Sequence, residues 1–117
     1  MSREGWIGVD FDGTLAEYHG WNGGKLGNPI EPMVSRVKKW LKDGQKVKIF
    51  TARVSKANRS EEEAIYQEAL ITAWCLAFIG QELEITCEKD YLMIDLWDDR
   101  CHPVELNTGR DLLKGVI

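Results

Sequence analysis

Two carboxylates one residue apart, Asp10 and Asp12, close the apolar run Trp6–Val9 in the stretch Asp10-Phe11-Asp12-Gly13-Thr14. Two unit charges ~4 Å apart repel by about 4 kcal/mol at an effective dielectric of 20, unless a cation or a shared proton reconciles them. That pairing suits metal-assisted phosphoryl transfer. One carboxylate can accept the phosphoryl group covalently, dividing a difficult hydrolysis into two steps, and the other can move the proton in each. The plainer reading of the same residues is a turn in which Asp12-Gly13 supplies side-chain hydrogen bonding and a permissive backbone. With only Phe11 between them, both carboxylates can face one pocket, and the backbone of Phe11 and Gly13 is left to donate to phosphate oxygens.

Further polar groups follow the later apolar runs. Thr51 and Arg53 lie in Phe50-Thr51-Ala52-Arg53, Lys89 in Cys87-Glu88-Lys89-Asp90, and Asp98 and Asp99 in Asp95-Leu96-Trp97-Asp98-Asp99-Arg100. Taken singly, each has a structural explanation: a strand-end β-branched residue, a solvated lysine, a charged turn. Their placement raises them. Residues Trp6–Asp10 read as a strand, Pro29–Asp43 as a helix with Ile30, Met33, Val34, Val37, Trp40 and Leu41 at helical spacing, and Lys46–Phe50 as a second strand. Ser60 with Glu63 forms a capping-box signature for a helix over Glu61–Ile79 that Gly80 stops. Leu83–Cys87 reads as a third strand, Leu96–Trp97 with part of Tyr91–Ile94 as a fourth, Val104–Leu106 as a candidate fifth, and Arg110–Lys114 as a short last helix.

Strand and helix alternate, so the expected fold class is α/β: a three-layer α/β/α, Rossmann-like arrangement with a parallel central sheet and helices on both faces. In such sheets ligands gather at the carboxyl ends of the strands, where strand order reverses. Asp10, Thr51, Lys89 and Asp98 each follow a strand.

The 117 residues suffice for a single domain over 1–117 with its own core. A net charge of -4 gives no broad basic surface for duplex nucleic acid. Cys75, Cys87 and Cys101 are odd in number and lack Cys-x-x-Cys spacing, which points to core thiols in a reducing compartment and hence to the cytoplasm. No stretch is long and apolar enough for a membrane span, so no membrane association is expected. The absence of a Gly-x-x-x-x-Gly-Lys-Ser/Thr sequence excludes a Walker-type nucleotide site.

In order and character these four motifs resemble those of the haloacid dehalogenase-like (HAD) phosphohydrolases. The resemblance implies Asp10 as the nucleophile that becomes an aspartyl phosphate, and Asp12 as the general acid and base. It implies Thr51 as donor to the phosphoryl oxygen and Lys89 as the cation that neutralises Asp10 together with the transferring group. It also implies a Mg²⁺ site built from Asp10, Asp12 through its carbonyl, Asp98 and Asp99, with Asp99 either a ligand through water or the brace for Lys89. The expected activity is Mg²⁺-dependent hydrolysis of a phosphomonoester.

Members of that family commonly insert a cap domain, and this chain has no room for one between Leu15 and Pro29 or between Val54 and Gln81. A capless, open pocket follows, suited to a nucleotide or a polynucleotide terminal phosphate, or covered by another subunit of a homo-oligomer. The glycine-rich loop over residues 16–28 is a flexible partial lid in this reading. Gly13 and Arg53 are candidate phosphate contacts, and Tyr18 and Trp21 either stack on substrate or pack the loop onto the domain. The competing class is a regulatory metal- or phosphate-binding protein that keeps the fold without turnover.

Overall fold

In a computed structural model, which describes residues 3–113, four strands and two helices alternate along the chain. They are β1 (Trp6–Asp10), α1 (Glu31–Lys42), β2 (Lys46–Phe50), α2 (Glu61–Phe78), β3 (Glu84–Thr86) and β4 (Met93–Trp97). All pairings are parallel and the order is β3-β2-β1-β4. The protein therefore has the α/β, Rossmann-like fold that the alternation implied. Strand order reverses at β1, which has β2 on one side and β4 on the other.

The core explains why β1 is central. Ile7 and Val9 of β1 lie level with Val47 and Ile49 of β2, and all four are buried. Met33, Val34 and Val37 of α1 and Ile71, Trp74 and Cys75 of α2 join them in one cluster. Both helices thus press on the same face, which corrects the expectation of helices on both. The reason is handedness: the steps β1 to β2 and β2 to β3 run in one direction, and right-handed crossovers then place both helices on one side. The return from β3 to β4 uses residues 87–92, too few for a helix.

The opposite face carries Trp6, Gly8 and Lys48. Lys48 is only 8% exposed and its Nζ lies 4.4 Å from the centre of the Trp6 ring, so the lysine stem and the indole close this face. Among the described residues no helix covers this face, and β2, which carries Lys46 and Lys48, is not at the edge of the sheet.

Helix ends follow local chemistry. α1 begins at Glu31 rather than Pro29 because Pro29 bridges to Ala16 and the Ile30 amide donates to the Leu15 carbonyl. The Ser60 side chain caps α2 by accepting from the Glu63 amide at 3.1 Å, and Glu61, Glu62 and Glu63 complement its positive end. Val104 forms one antiparallel bridge with Asp111 and does not join the sheet. Residues 110–113 form that bridge and a turn, not a helix, and Lys114 lies outside the described residues. No helix among the described residues is long and apolar enough to cross a membrane.

Candidate active site

A cleft of about 380 Å³ opens at the carboxyl ends of the strands, lined by Asp10 at the end of β1 and Asp12 after it, Thr51 and Arg53 after β2, and Asp98 and Asp99 after β4, with Tyr18, Trp21, Arg59 and Arg100 also on its walls. This is the switch point of the sheet, where loops leaving neighbouring strands diverge.

Asp10, Asp98 and Asp99 each offer a carboxylate oxygen within 4.8 Å of the other two. Burial pushes the Asp10 carboxyl from an ordinary 3.8 up to about 8, helped by a hydrogen bond with Asp99 and by the charges of Asp98 and Asp99, against a lowering contribution from the Phe11 amide. Burial works upward on Asp99 too, but hydrogen bonds from Asp10, Thr14 and its own backbone, with Arg100 nearby, hold it below the usual range. The Asp10–Asp99 interaction thus acts in opposite directions on the two carboxyls, with burial the larger cause for Asp10. Three hard oxygen donors converging from two loops match the chemistry of a Mg²⁺ site.

Two links fix the Asp99 loop against the Asp10 loop. Thr14 Oγ1 donates to Asp99 Oδ1 at 2.9 Å and accepts from the Asp99 amide at 3.0 Å. Gly13, at φ +87°, leaves the room Asp99 needs: a Cβ there would lie 2.8 Å from Asp99 Oδ2. Its amide donates to the Ala16 carbonyl at 2.8 Å, so the expected role of Gly13 as a phosphate contact is corrected: it admits Asp99. Phe11 is fully buried and packs edge-on against Trp74 at 4.9 Å, anchoring the loop from behind.

Arg53 is 3% exposed. Its Nε and Nη2 donate to the two oxygens of Asp12 at 2.7 and 2.9 Å, its Nη1 to the Gly24 carbonyl at 2.9 Å and to Gln67 Oε1 at 2.8 Å, and its Nη2 also to the Lys25 carbonyl at 3.5 Å. All five donors are used, so Arg53 is a brace for Asp12 and not the substrate contact expected from sequence. Asp12 accordingly is not among the converging carboxylates Asp10, Asp98 and Asp99. Thr51 is 3% exposed, and its Oγ1 accepts from the Arg53 amide at 3.1 Å while the hydroxyl proton remains available to the cleft.

Lys89 does not line the cleft and is exposed. The reason lies in the short β3. Thr86 turns the chain at Glu88, and Asp90 accepts from Trp6 Nε1 at 2.9 Å at the amino end of β1, so Lys89 rides the segment that runs back down the sheet. The cations at the site are Arg53, Arg59 and Arg100 instead.

Sequence reasoning missed Gln67 and Arg59. Gln67 is 1% exposed and occupies the stripe that α2 otherwise fills with Ala64, Ile71, Trp74 and Cys75; a polar residue in register with that stripe is its signal. Arg59 directly precedes the Ser60 cap and carries no comparable mark.

No known family profile matches this chain. No curated protein matches it either. A solved structure from Bacteroides thetaiotaomicron, described as a conserved protein coded by a locus of that organism, is similar with a TM-score of 0.56 at 20% identity, over 85% of this chain and 78% of that one. At that identity the likeness shows the fold alone.

Proposed function

We propose that this protein is a Mg²⁺-dependent phosphomonoester hydrolase that forms an aspartyl phosphate on Asp10, as its resemblance to the HAD-like phosphohydrolases implies. The observation that carries the reading is the convergence of Asp10, Asp98 and Asp99 within 4.8 Å, in a cleft that also holds Thr51 and Asp12. Asp98, Asp99 and Asp10 would hold the metal, and the chemistry it supplies is positive charge that lets Asp10 ionise beside two other carboxylates.

In the first step an Asp10 oxygen bonds to phosphorus while the bond from phosphorus to the leaving oxygen breaks. Asp12 delivers a proton to that oxygen, for which one of its carboxylate oxygens must turn from the Arg53 guanidinium toward the substrate. In the second step Asp12 takes a proton from water, the water oxygen bonds to phosphorus, and the phosphorus bond to Asp10 breaks. Arg53 fixes where Asp12 sits between these steps, and the Thr51 hydroxyl donates to a phosphoryl oxygen. The positive charge assigned to Lys89 from sequence falls to Arg100, which lies beside Asp99.

The open cleft suits a small phosphate such as a nucleotide or sugar phosphate, or a polynucleotide end, and the net charge of -4 weighs against a long duplex. The binding-only reading draws on one observation, the occupation of both Asp12 oxygens by Arg53. A screen of Mg²⁺-dependent phosphate release across nucleotides, sugar phosphates, phosphopeptides and phosphorylated oligonucleotides, run with the wild type and Asp10→Asn, separates the two. Release by the wild type that disappears in the variant, with fold and metal binding retained, supports the hydrolase. Absence of release from every substrate favours binding.

A further inference from the structure

The walls of the cleft carry four carboxylates and three guanidiniums, and one of the guanidiniums is already fully used. Arg53 spends every donor on Asp12, Gly24, Gln67 and Lys25. Arg100 acts on Asp99 through its charge; among the described residues its side chain makes no hydrogen bond or ion pair and lies on no aromatic ring. Arg59 is different. Among the described residues it has no ion pair or side-chain hydrogen bond, yet it is not loose: its guanidinium carbon lies 4.8 Å from the centre of the Trp21 ring, and that of Arg53 lies 4.7 Å from the same ring. Trp21 thus meets both Arg59 and the guanidinium that grips Asp12. Because Trp21 is 40% exposed, the Arg59 end of this stack lies at the mouth of the cleft.

A cation held in place on an aromatic ring, half-buried, and left without an acidic partner beside a cluster of acids has its donors free for an incoming anion. Next to three clustered carboxylates an unpaired arginine would ordinarily be drawn to one of them; the Trp21 stack keeps it at the rim. We propose that Arg59 recognises a second anionic group, a carboxylate or another phosphate, on a small phosphomonoester whose scissile phosphate lies at Asp10. The inference rests on the phosphoryl-transfer reading for the location of the first phosphate. It also adds to the part given to Trp21, which positions Arg59.

The test is a calorimetric titration with two matched pairs of ligands: glycerol 3-phosphate against 3-phosphoglycerate, and adenosine 5′-monophosphate against adenosine 3′,5′-bisphosphate. It is run with Mg²⁺ on Asp10→Asn protein so that nothing turns over. In at least one pair the member with the second anionic group should bind roughly ten- to hundredfold more tightly, the range of a charged hydrogen-bonded contact. The pair that shows it identifies carboxylate or phosphate as the second group. Adding Arg59→Ala should erase that preference, Arg59→Lys should restore part of it, and Trp21→Leu should weaken it by releasing Arg59. Equal affinity within both pairs, or a preference that survives Arg59→Ala, overturns the proposal. Because the readout is binding, it stands apart from the hydrolase reading: a protein that discriminates through Arg59 but releases no phosphate as wild type would refute the hydrolase and leave Arg59 as an anion-recognition residue.

Discussion

Single residues at this site are set by what they exclude as much as by what they bind. Gly13 is the clearest case, because its place in Asp12-Gly13 reads from sequence as a turn residue or a phosphate donor, and only the approach of Asp99 shows why a side chain is intolerable there. Gly13→Ala must hold a Cβ at positive φ, which costs about 1–2 kcal/mol, and must displace Asp99 from the cluster. Urea denaturation should show that loss, and calorimetry should show weaker Mg²⁺ binding; unchanged Mg²⁺ affinity would mean that Asp99 is no ligand. The placement of Asp10, Thr51, Asp98 and Asp99 was legible because each ends a strand or follows one within two residues, so position along the chain fixes position in space. Lys89 misled because it stands three residues beyond β3, far enough for the turn at Thr86–Glu88 to carry it away.

Among the elements, the 3-10 turn Ala52–Val54 after β2 ties the site to the rest of the fold. Its Arg53 joins the loop after β1 through Asp12, the glycine-rich loop through Gly24 and Lys25, and α2 through Gln67. A lysine offers a single ammonium in place of that planar fork, so Arg53→Lys should lose about 3 kcal/mol of stability. It should also lower kcat more than it changes Mg²⁺ affinity, since Arg53 bonds to Asp12 and not to Asp10, Asp98 or Asp99. Steady-state kinetics beside a metal titration would check this; equal loss in both would place Arg53 in the metal site. β1, β2 and α2 were readable from apolar spacing and the Ser60 cap. The side on which the helices pack was not, because it follows from strand order, which periodicity does not encode. Nor was the missing fifth strand: Val104 and Leu106 alternate as a strand would, but the structure gives Val104 only the Asp111 bridge.

At the scale of the whole molecule, the Asp10 carboxyl couples folding to pH and, through the proposed metal site, to Mg²⁺. Its position is raised in the folded protein from 3.8 to about 8, so the folded state binds a proton that the unfolded chain releases between those values. Stability from this group is therefore complete below about pH 4 and is lost as pH rises toward about pH 8. With chelator present, the melting temperature should fall over that window, and Asp10→Asn should flatten the fall. Added Mg²⁺ should raise the melting temperature more at the alkaline end, where Asp10 is free to ionise. A chelated wild type whose melting curve matches that of Asp10→Asn at every pH would show that no such proton is held.

The central claim is that Asp10 carries the phosphoryl group, and acid-quenched turnover of a radiolabelled phosphomonoester tests it directly. Label is expected on the peptide containing Asp10, released by hydroxylamine as an acyl phosphate is, and none on Asp10→Asn. Turnover with no hydroxylamine-labile label on that peptide, or activity that persists in Asp10→Asn, would contradict it.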